Sequence, residues 1–245
     1  MRVAKLGGLR THLAGGVDGD GGGDGPLVVL MHGFGAPGDD LVGLLPVLRV
    51  AREVRFAFPE APLSLADFPF PARAWWPLDL ARLEQARTRG QSLDRAGEVP
   101  EGLVLARQHV IALLDDLQAQ LGVSSERILL GGFSQGSMLA IDVALSDLRP
   151  LAGLVLLSTT LINADEWRAR LPARAGLPIF QSHGRRDPLL PFAAAEHVRQ
   201  LWQGIGSPVT WTEFDGGHEL TPQVLQRLCR FIEERLGSAH CTDSR

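Results

Sequence analysis

The chain has 245 residues, of which 45% are hydrophobic and 21% charged, apolar material enough to bury a sizeable core as one domain. Its 24 Lys and Arg against 28 Asp and Glu leave a formal charge of −4 at pH 7, which offers no basic footprint for nucleic acid and no pull toward an anionic membrane surface. Two cysteines, Cys229 and Cys241, supply no disulfide framework, no signal peptide is apparent over residues 1–8, and no run approaches a membrane span, so a cytoplasmic protein without stable membrane insertion is expected.

The first stretch is expected to form a hairpin. Within it Asp18-Gly19-Asp20-Gly21-Gly22-Gly23-Asp24-Gly25 invites a calcium reading. Gly22 stands at the loop's fifth position, however, and Val29 stands where the bidentate glutamate belongs. The segment is taken as a flexible hairpin turn, and no metal site is expected.

Residues 27–31 form a continuous apolar run that reads as a strand and empties into His32-Gly33-Phe34-Gly35-Ala36-Pro37-Gly38-Asp39-Asp40, where closely placed glycines let backbone approach a ligand. A second strand follows at 54–58. Residues 62–100 are rich in Pro, Arg and aromatics, and connections of this length are usually functional or partly helical. This excursion is expected to be a groove wall or lid-like, its first half walling a substrate groove and 79–96 forming a short helix over it, the alternative being a surface excursion whose tryptophans anchor it to the core.

In 102–121, Val110, Leu113, Leu114, Leu117 and Leu121 recur at three- and four-residue steps, which predicts an amphipathic helix. Further strands are expected at 128–131, 153–157, 177–181 and 209–214. The closing helix starts with Thr221 as N-cap and Pro222 at its first position, ends near Gly237, and leaves a mobile tail over 238–245. Alternating strands and helices predict an α/β fold, a mainly parallel central sheet with helices on both faces, forming a single domain over 1–237.

The chemistry is concentrated in three strand ends. Gly132-Phe133-Ser134-Gln135-Gly136 follows the apolar Ile128-Leu129-Leu130 and precedes a helical stretch from Met138 to Leu145, the strand–turn–helix setting of a nucleophile elbow. The flanking glycines let the backbone double back, lifting the Ser134 hydroxyl above the sheet and aiming the Gln135 N–H at the oxygen of whatever Ser134 attacks. A serine hydroxyl is a weak nucleophile at neutral pH, so an imidazole must take its proton and a carboxylate must hold that imidazole in the right tautomer.

Those partners follow in chain order. Gln181-Ser182-His183-Gly184-Arg185-Arg186-Asp187-Pro188 is read as a polar loop after the 177–181 strand, and Asp187 is the expected acid. His218, in the break Asp215-Gly216-Gly217-His218 after the 209–214 strand, is the expected base. Asp215 lies too close along the chain to orient that ring, and His183 is assigned a hydrogen-bonding role. The Phe34 N–H, after the 27–31 strand, is the expected second oxyanion donor.

Together these segments, with Phe58-Pro59-Glu60-Ala61-Pro62, Arg73-Ala74-Trp75-Trp76 and His183 to Pro191, make the chain resemble the phospholipase/carboxylesterase family of α/β-hydrolases, which includes acyl-protein thioesterases and small bacterial carboxylesterases. The resemblance implies the α/β-hydrolase fold, Ser134, Asp187 and His218 as catalytic residues, and the Phe34 and Gln135 amides as the oxyanion hole. It also implies that Trp75, Trp76 and Leu189 lie near an acyl-binding groove. Here Pro77 follows Trp76, where family members commonly carry an aromatic and then an acidic residue, so acyl preference does not carry over.

The expected activity is hydrolysis of carboxylic esters of short to medium acyl chains through an acyl-enzyme, without cofactor. The alternatives are a thioesterase on acyl-protein or acyl-CoA, a lysophospholipase and, more distantly, a non-catalytic binder of the same fold. The expected partner is a small-molecule ester or thioester, with a homodimer possible and nucleic acid excluded.

Overall fold

The computed structural model describes residues 1–66, 68–88 and 95–237. Strands β1 (Arg2–Leu6) and β2 (Leu9–Gly16) make the expected hairpin, but it turns at Gly7-Gly8 rather than in the acidic glycine run. Both turn residues have positive φ, 56° and 79°, the requirement of a tight two-residue connection. A Cβ on Gly7 would also lie 2.2 Å from the Leu113 amide nitrogen. The acidic run instead leads into a short strand, β3 (Asp20–Gly22), and Asp18 spends its Oδ1 accepting the N–H groups of Asp20 and Gly22 at 2.8 Å each.

The remaining sheet strands are β4 (Leu27–Met31), β5 (Arg55–Pro59), β8 (Ile128–Phe133), β9 (Gly153–Leu157), β10 (Ile179–Gly184) and β11 (Val209–Phe214). A separate two-stranded ribbon pairs β6 (Leu63–Leu65) with β7 (Ala72–Ala74). The main sheet runs β1-β2-β5-β4-β8-β9-β10-β11, with β3 on β2. From β5 to β11 every pairing is parallel, and the antiparallel pairs are confined to β1, β2 and β5.

The helices are α1 (Leu80–Thr88), α2 (Leu103–Leu121), α3 (Gln135–Ser146), α4 (Ala164–Arg170), α5 (Phe192–Gly204) and α6 (Pro222–Leu236). Apolar residues on both sides of a strand demand cover on both faces. On β4, Leu27, Val29 and Met31 join one core with Leu113, Leu114 and Leu117 of α2, Leu139 of α3 and Trp202 of α5, while Val28 and Leu30 join the other with Leu228, Phe231 and Ile232 of α6. Thr221 caps α6 as expected, its Oγ1 accepting the Val224 N–H at 3.3 Å. No helix among the described residues is long and apolar enough to cross a membrane.

Two further expectations shift. The strand expected at 177–181 runs Ile179–Gly184, so Gln181, Ser182 and His183 are buried strand residues rather than loop; six-residue parallel pairing with β11 overrides their polarity. Of the helix expected over 79–96, Leu80–Thr88 is helical and residues 79, 95 and 96 are not, while 89–94 lie outside the described residues. The segment beyond it docks on the start of α4, Glu98 and Ala96 carbonyls accepting the Asn163 and Ala164 N–H groups at 2.8 Å each. The expected tail, 238–245, also lies outside the described residues.

Candidate active site

Ser134 joins β8 to α3 with φ 54° and ψ −118°, a conformation costing a non-glycine residue about 1–3 kcal/mol that the surroundings must hold in place. The surroundings are close-packed. A Cβ on Gly132 would lie 2.4 Å from the Met31 carbonyl oxygen, and one on Gly136 would lie 2.1 Å from the same oxygen, so both flanking positions must be glycine for β4 to pass. The Ser134 N–H donates to Leu157 on β9 at 2.8 Å, and the Ser134 carbonyl accepts the Ser137 hydroxyl at 2.6 Å, tying the turn to the sheet and to α3. Gln135 then opens α3, where the first N–H groups have no intrahelical acceptor and the helix end favours negative charge.

The expected acid and base lie in the loops after β10 and β11. His218 Nδ1 lies 2.6 Å from Asp187 Oδ2. The nitrogen donates, since an ionised carboxylate only accepts, which leaves His218 Nε2 as the basic nitrogen. Asp187 Oδ1 meanwhile accepts the N–H groups of Leu189 and Leu190 at 2.8 and 2.9 Å. Burial pushes the Asp187 carboxyl up, but the His218 hydrogen bond and charge and the two amides outweigh it and hold the group below the usual carboxylate range.

His218 stands over the elbow: its ring centroid is 4.7 Å from that of Phe133, the residue before Ser134, and its side chain is 12% exposed. The two loops meet because Gly184 has no side chain, a Cβ there lying 2.1 Å from the Gly217 carbonyl oxygen. Asp215 is turned away into a surface ion pair with Arg186. His183, fully buried, donates from Nε2 to the Leu190 carbonyl at 2.9 Å and lies 3.5 Å from Asp187 Oδ2; burial pushes its pKa below the usual histidine value.

On the other side of Ser134, the loop after β4 passes so close that a Cβ on Gly33 would be 3.3 Å from the Ser134 Cβ. Buried His32 fixes this loop. Its Nδ1–H donates to the Gly33 carbonyl at 2.8 Å and its Nε2 accepts the Ala61 N–H at 3.0 Å, a bonding pattern open only to the neutral ring. Burial lowers its pKa in keeping with that. Gly35 donates to the Arg73 carbonyl and Arg73 donates back to Ala36, so β7 braces the loop that carries Phe34.

Trp75 and Trp76 are 1% and 0% exposed and belong to the core, so neither offers open surface to a ligand. The Trp75 indole N–H donates to the His32 carbonyl at 3.0 Å, and the Gln135 side chain binds the backbone of both tryptophans. Leu189, by contrast, is 56% exposed beside the acid. An aromatic series runs from Phe34 to Phe68 to Phe70, with centroid separations of 6.3 and 5.8 Å. Sequence reasoning missed the Gln135 carboxamide and the His32 ring; the only signal for them was their place beside the expected oxyanion donors.

Residues 21–236 match the family described as phospholipase/carboxylesterase. The chain is 32% identical over 218 residues to acyl-protein thioesterase 1 of Eremothecium gossypii, covering 85% of this chain and 87% of that protein. It is 27% identical over 218 residues to acyl-protein thioesterase 1 of Gibberella zeae, covering 85% and 90%. The crystal structure of esterase PE8 superposes with a TM-score of 0.77 at 28% identity, covering 93% of this chain and 99% of that one. With its sheet order, its strained serine turn and these similarities, the chain belongs to the phospholipase/carboxylesterase family of ester and thioester hydrolases with the α/β-hydrolase fold.

Proposed function

We propose that the protein is a serine esterase in which Ser134, His218 and Asp187 form the catalytic triad and the Phe34 and Gln135 amides form the oxyanion hole. The observation that carries this reading is the 2.6 Å bond from His218 Nδ1 to Asp187 Oδ2 beside a serine held at positive φ. His218 Nε2 takes the Ser134 proton as Oγ attacks the acyl carbon, and Asp187 stabilises the imidazolium. The carbonyl oxygen, now negative, is received by the two amides, with the α3 terminus adding a favourable dipole. His218 returns the proton to the leaving oxygen or sulfur, and water repeats the sequence on the acyl-enzyme. The route needs no cofactor.

A thioesterase reading is favoured by one specific observation, the acyl-protein thioesterase name carried by the relatives above. The same groups serve both acyl bonds. Steady-state hydrolysis of p-nitrophenyl esters from acetyl to palmitoyl, beside matched thioesters, separates the two by kcat/KM. Ser134→Ala should lose at least about 10⁴-fold in kcat, because triad members act as a unit. Substantial turnover by that variant would overturn the assignment.

A further inference from the structure

The Gln135 side chain is buried, yet its carboxamide is turned neither to solvent nor to its own helix. Its Oε1 accepts the Trp75 N–H at 2.9 Å and its Nε2 donates to the Trp76 carbonyl at 2.9 Å, so both of its polar atoms are committed to the backbone of one short segment. The same segment reaches across to the other flank of Ser134. The Trp75 indole N–H donates to the His32 carbonyl at 3.0 Å, and Arg73 exchanges backbone hydrogen bonds with Gly35 and Ala36 at 2.9 and 3.0 Å. His32 in turn is fixed through Gly33 and Ala61.

The two expected oxyanion donors therefore sit on separate elements, Phe34 on the loop after β4 and Gln135 at the start of α3, and residues 73–76 are hydrogen-bonded to both. We propose that residues 73–76 form a strap setting the spacing of the two oxyanion donors, with the Gln135 carboxamide and the Trp75 indole as positioning residues. The inference rests on the serine-hydrolase reading above. It gives the tryptophans a task that their burial allows: they act from within the core on the amides that receive the oxyanion. Such donors act by preorganisation, so a displacement of a few tenths of an ångström should weaken the transition state and leave ground-state binding nearly unchanged.

The test compares wild type, Gln135→Met, Trp75→Phe and Ser134→Ala on p-nitrophenyl butyrate. Gln135→Met keeps the backbone N–H and side-chain bulk but removes both strap bonds; Trp75→Phe keeps an aromatic ring in the core and removes the indole donor. Gln135→Met is expected to lose about 10–100-fold in kcat with KM within about twofold, the pattern of an interaction made in the transition state. Binding of an alkyl trifluoromethyl ketone, whose adduct places an oxyanion in the hole, should weaken by the same factor, while the pH profile of kcat/KM stays in place.

Trp75→Phe should lose less, about 3–10-fold, and the double variant less than the product of the two, because they share one strap. A folded Gln135→Met or Trp75→Phe with wild-type kcat and unchanged ketone affinity would overturn the inference, as would losses confined to KM. Should Gln135→Met fold poorly, Trp75→Phe decides by the same two readouts. An inactive Ser134→Ala beside fully active strap variants overturns this inference alone, whereas an active Ser134→Ala overturns the reading beneath it.

Discussion

The two flanks of Ser134 are held by different physics. On the flank of β10 and β11 a buried carboxylate faces an imidazole, and the arrangement depends on charge: Asp187 is kept ionised by His218 and by the Leu189 and Leu190 amides. On the flank of β4 and β7 the bonds that fix the loop are mainly between neutral groups, with His32 accepting the Ala61 N–H and donating to the Gly33 carbonyl, and the Trp75 indole donating to the His32 carbonyl, while the Arg73 guanidinium braces the Ala61 carbonyl. The charged flank should respond sharply to removal of one charge. The flank held mainly by neutral hydrogen bonds should respond to geometry.

The largest effect expected in breaking that contrast is on the charged flank. Asp187→Asn keeps the shape but can donate to His218 Nδ1, favouring the wrong tautomer, and should cost about 10⁴-fold in kcat with the fold intact; stopped-time ester hydrolysis beside circular dichroism checks both. Next is the elbow between the flanks. Gly136→Ala would place a methyl 2.1 Å from the Met31 carbonyl oxygen, and overpacking of this kind should cost about 1–3 kcal/mol in urea unfolding and reduce activity as β4 shifts from Ser134.

A smaller effect belongs to the two buried histidines, one on each flank. Burial lowers the folded pKa of both His32 and His183 from the ordinary value of 6.5. The unfolded chain therefore binds more protons below pH 6.5, so their contribution is fully present above that pH and is lost as pH falls through the window toward the folded values. Unfolding free energy should drop by at most about 1.4 kcal/mol per pH unit for each histidine between pH 6.5 and 5.5. Asp187, with a folded pKa below 3.8, contributes its loss only at more acidic pH. A flat urea midpoint across pH 7 to 5.5 would show that neither ring is kept neutral by its burial.

The smallest effect sharpens the comparison at the surface. Leu189 contributes its amide to Asp187 while its side chain is exposed, so Leu189→Ala should change stability by less than about 0.5 kcal/mol and leave kcat unaltered on acetyl esters. A shift in KM confined to longer acyl chains would place its side chain against the acyl group. Equal kinetics across the series would remove it from the groove. Trp76→Ala cannot serve that purpose, because deleting a fully buried tryptophan should cost about 3–5 kcal/mol before any ligand is considered.

The elbow was legible because its requirements are local: glycines at 132 and 136 permit one tight turn, and the apolar run before it and the helix after it lie within a few residues. The alternation of apolar strands with the periodic helix over 102–121 likewise announced a parallel sheet covered on both faces. The hairpin turn was misplaced because an acidic glycine run resembles a turn anywhere, while Gly7-Gly8 is chosen by contact with α2, more than a hundred residues away. β10 was cut short because Gln181, Ser182 and His183 carry loop-like side chains, and only pairing with the neighbouring strands β9 and β11 makes them strand.

By itself, then, the sequence determined the fold class and the serine turn and set out the order of the proposed acid and base along the chain, since backbone freedom and apolar periodicity are properties of neighbouring residues. Tertiary structure alone decided that Trp75 and Trp76 are core, that Asp215 faces Arg186, that His32 is locked neutral, and that the Gln135 carboxamide grips the tryptophan segment. Burial and hydrogen-bond partnership depend on which distant segments meet, and those meetings are fixed by the packing of the whole sheet.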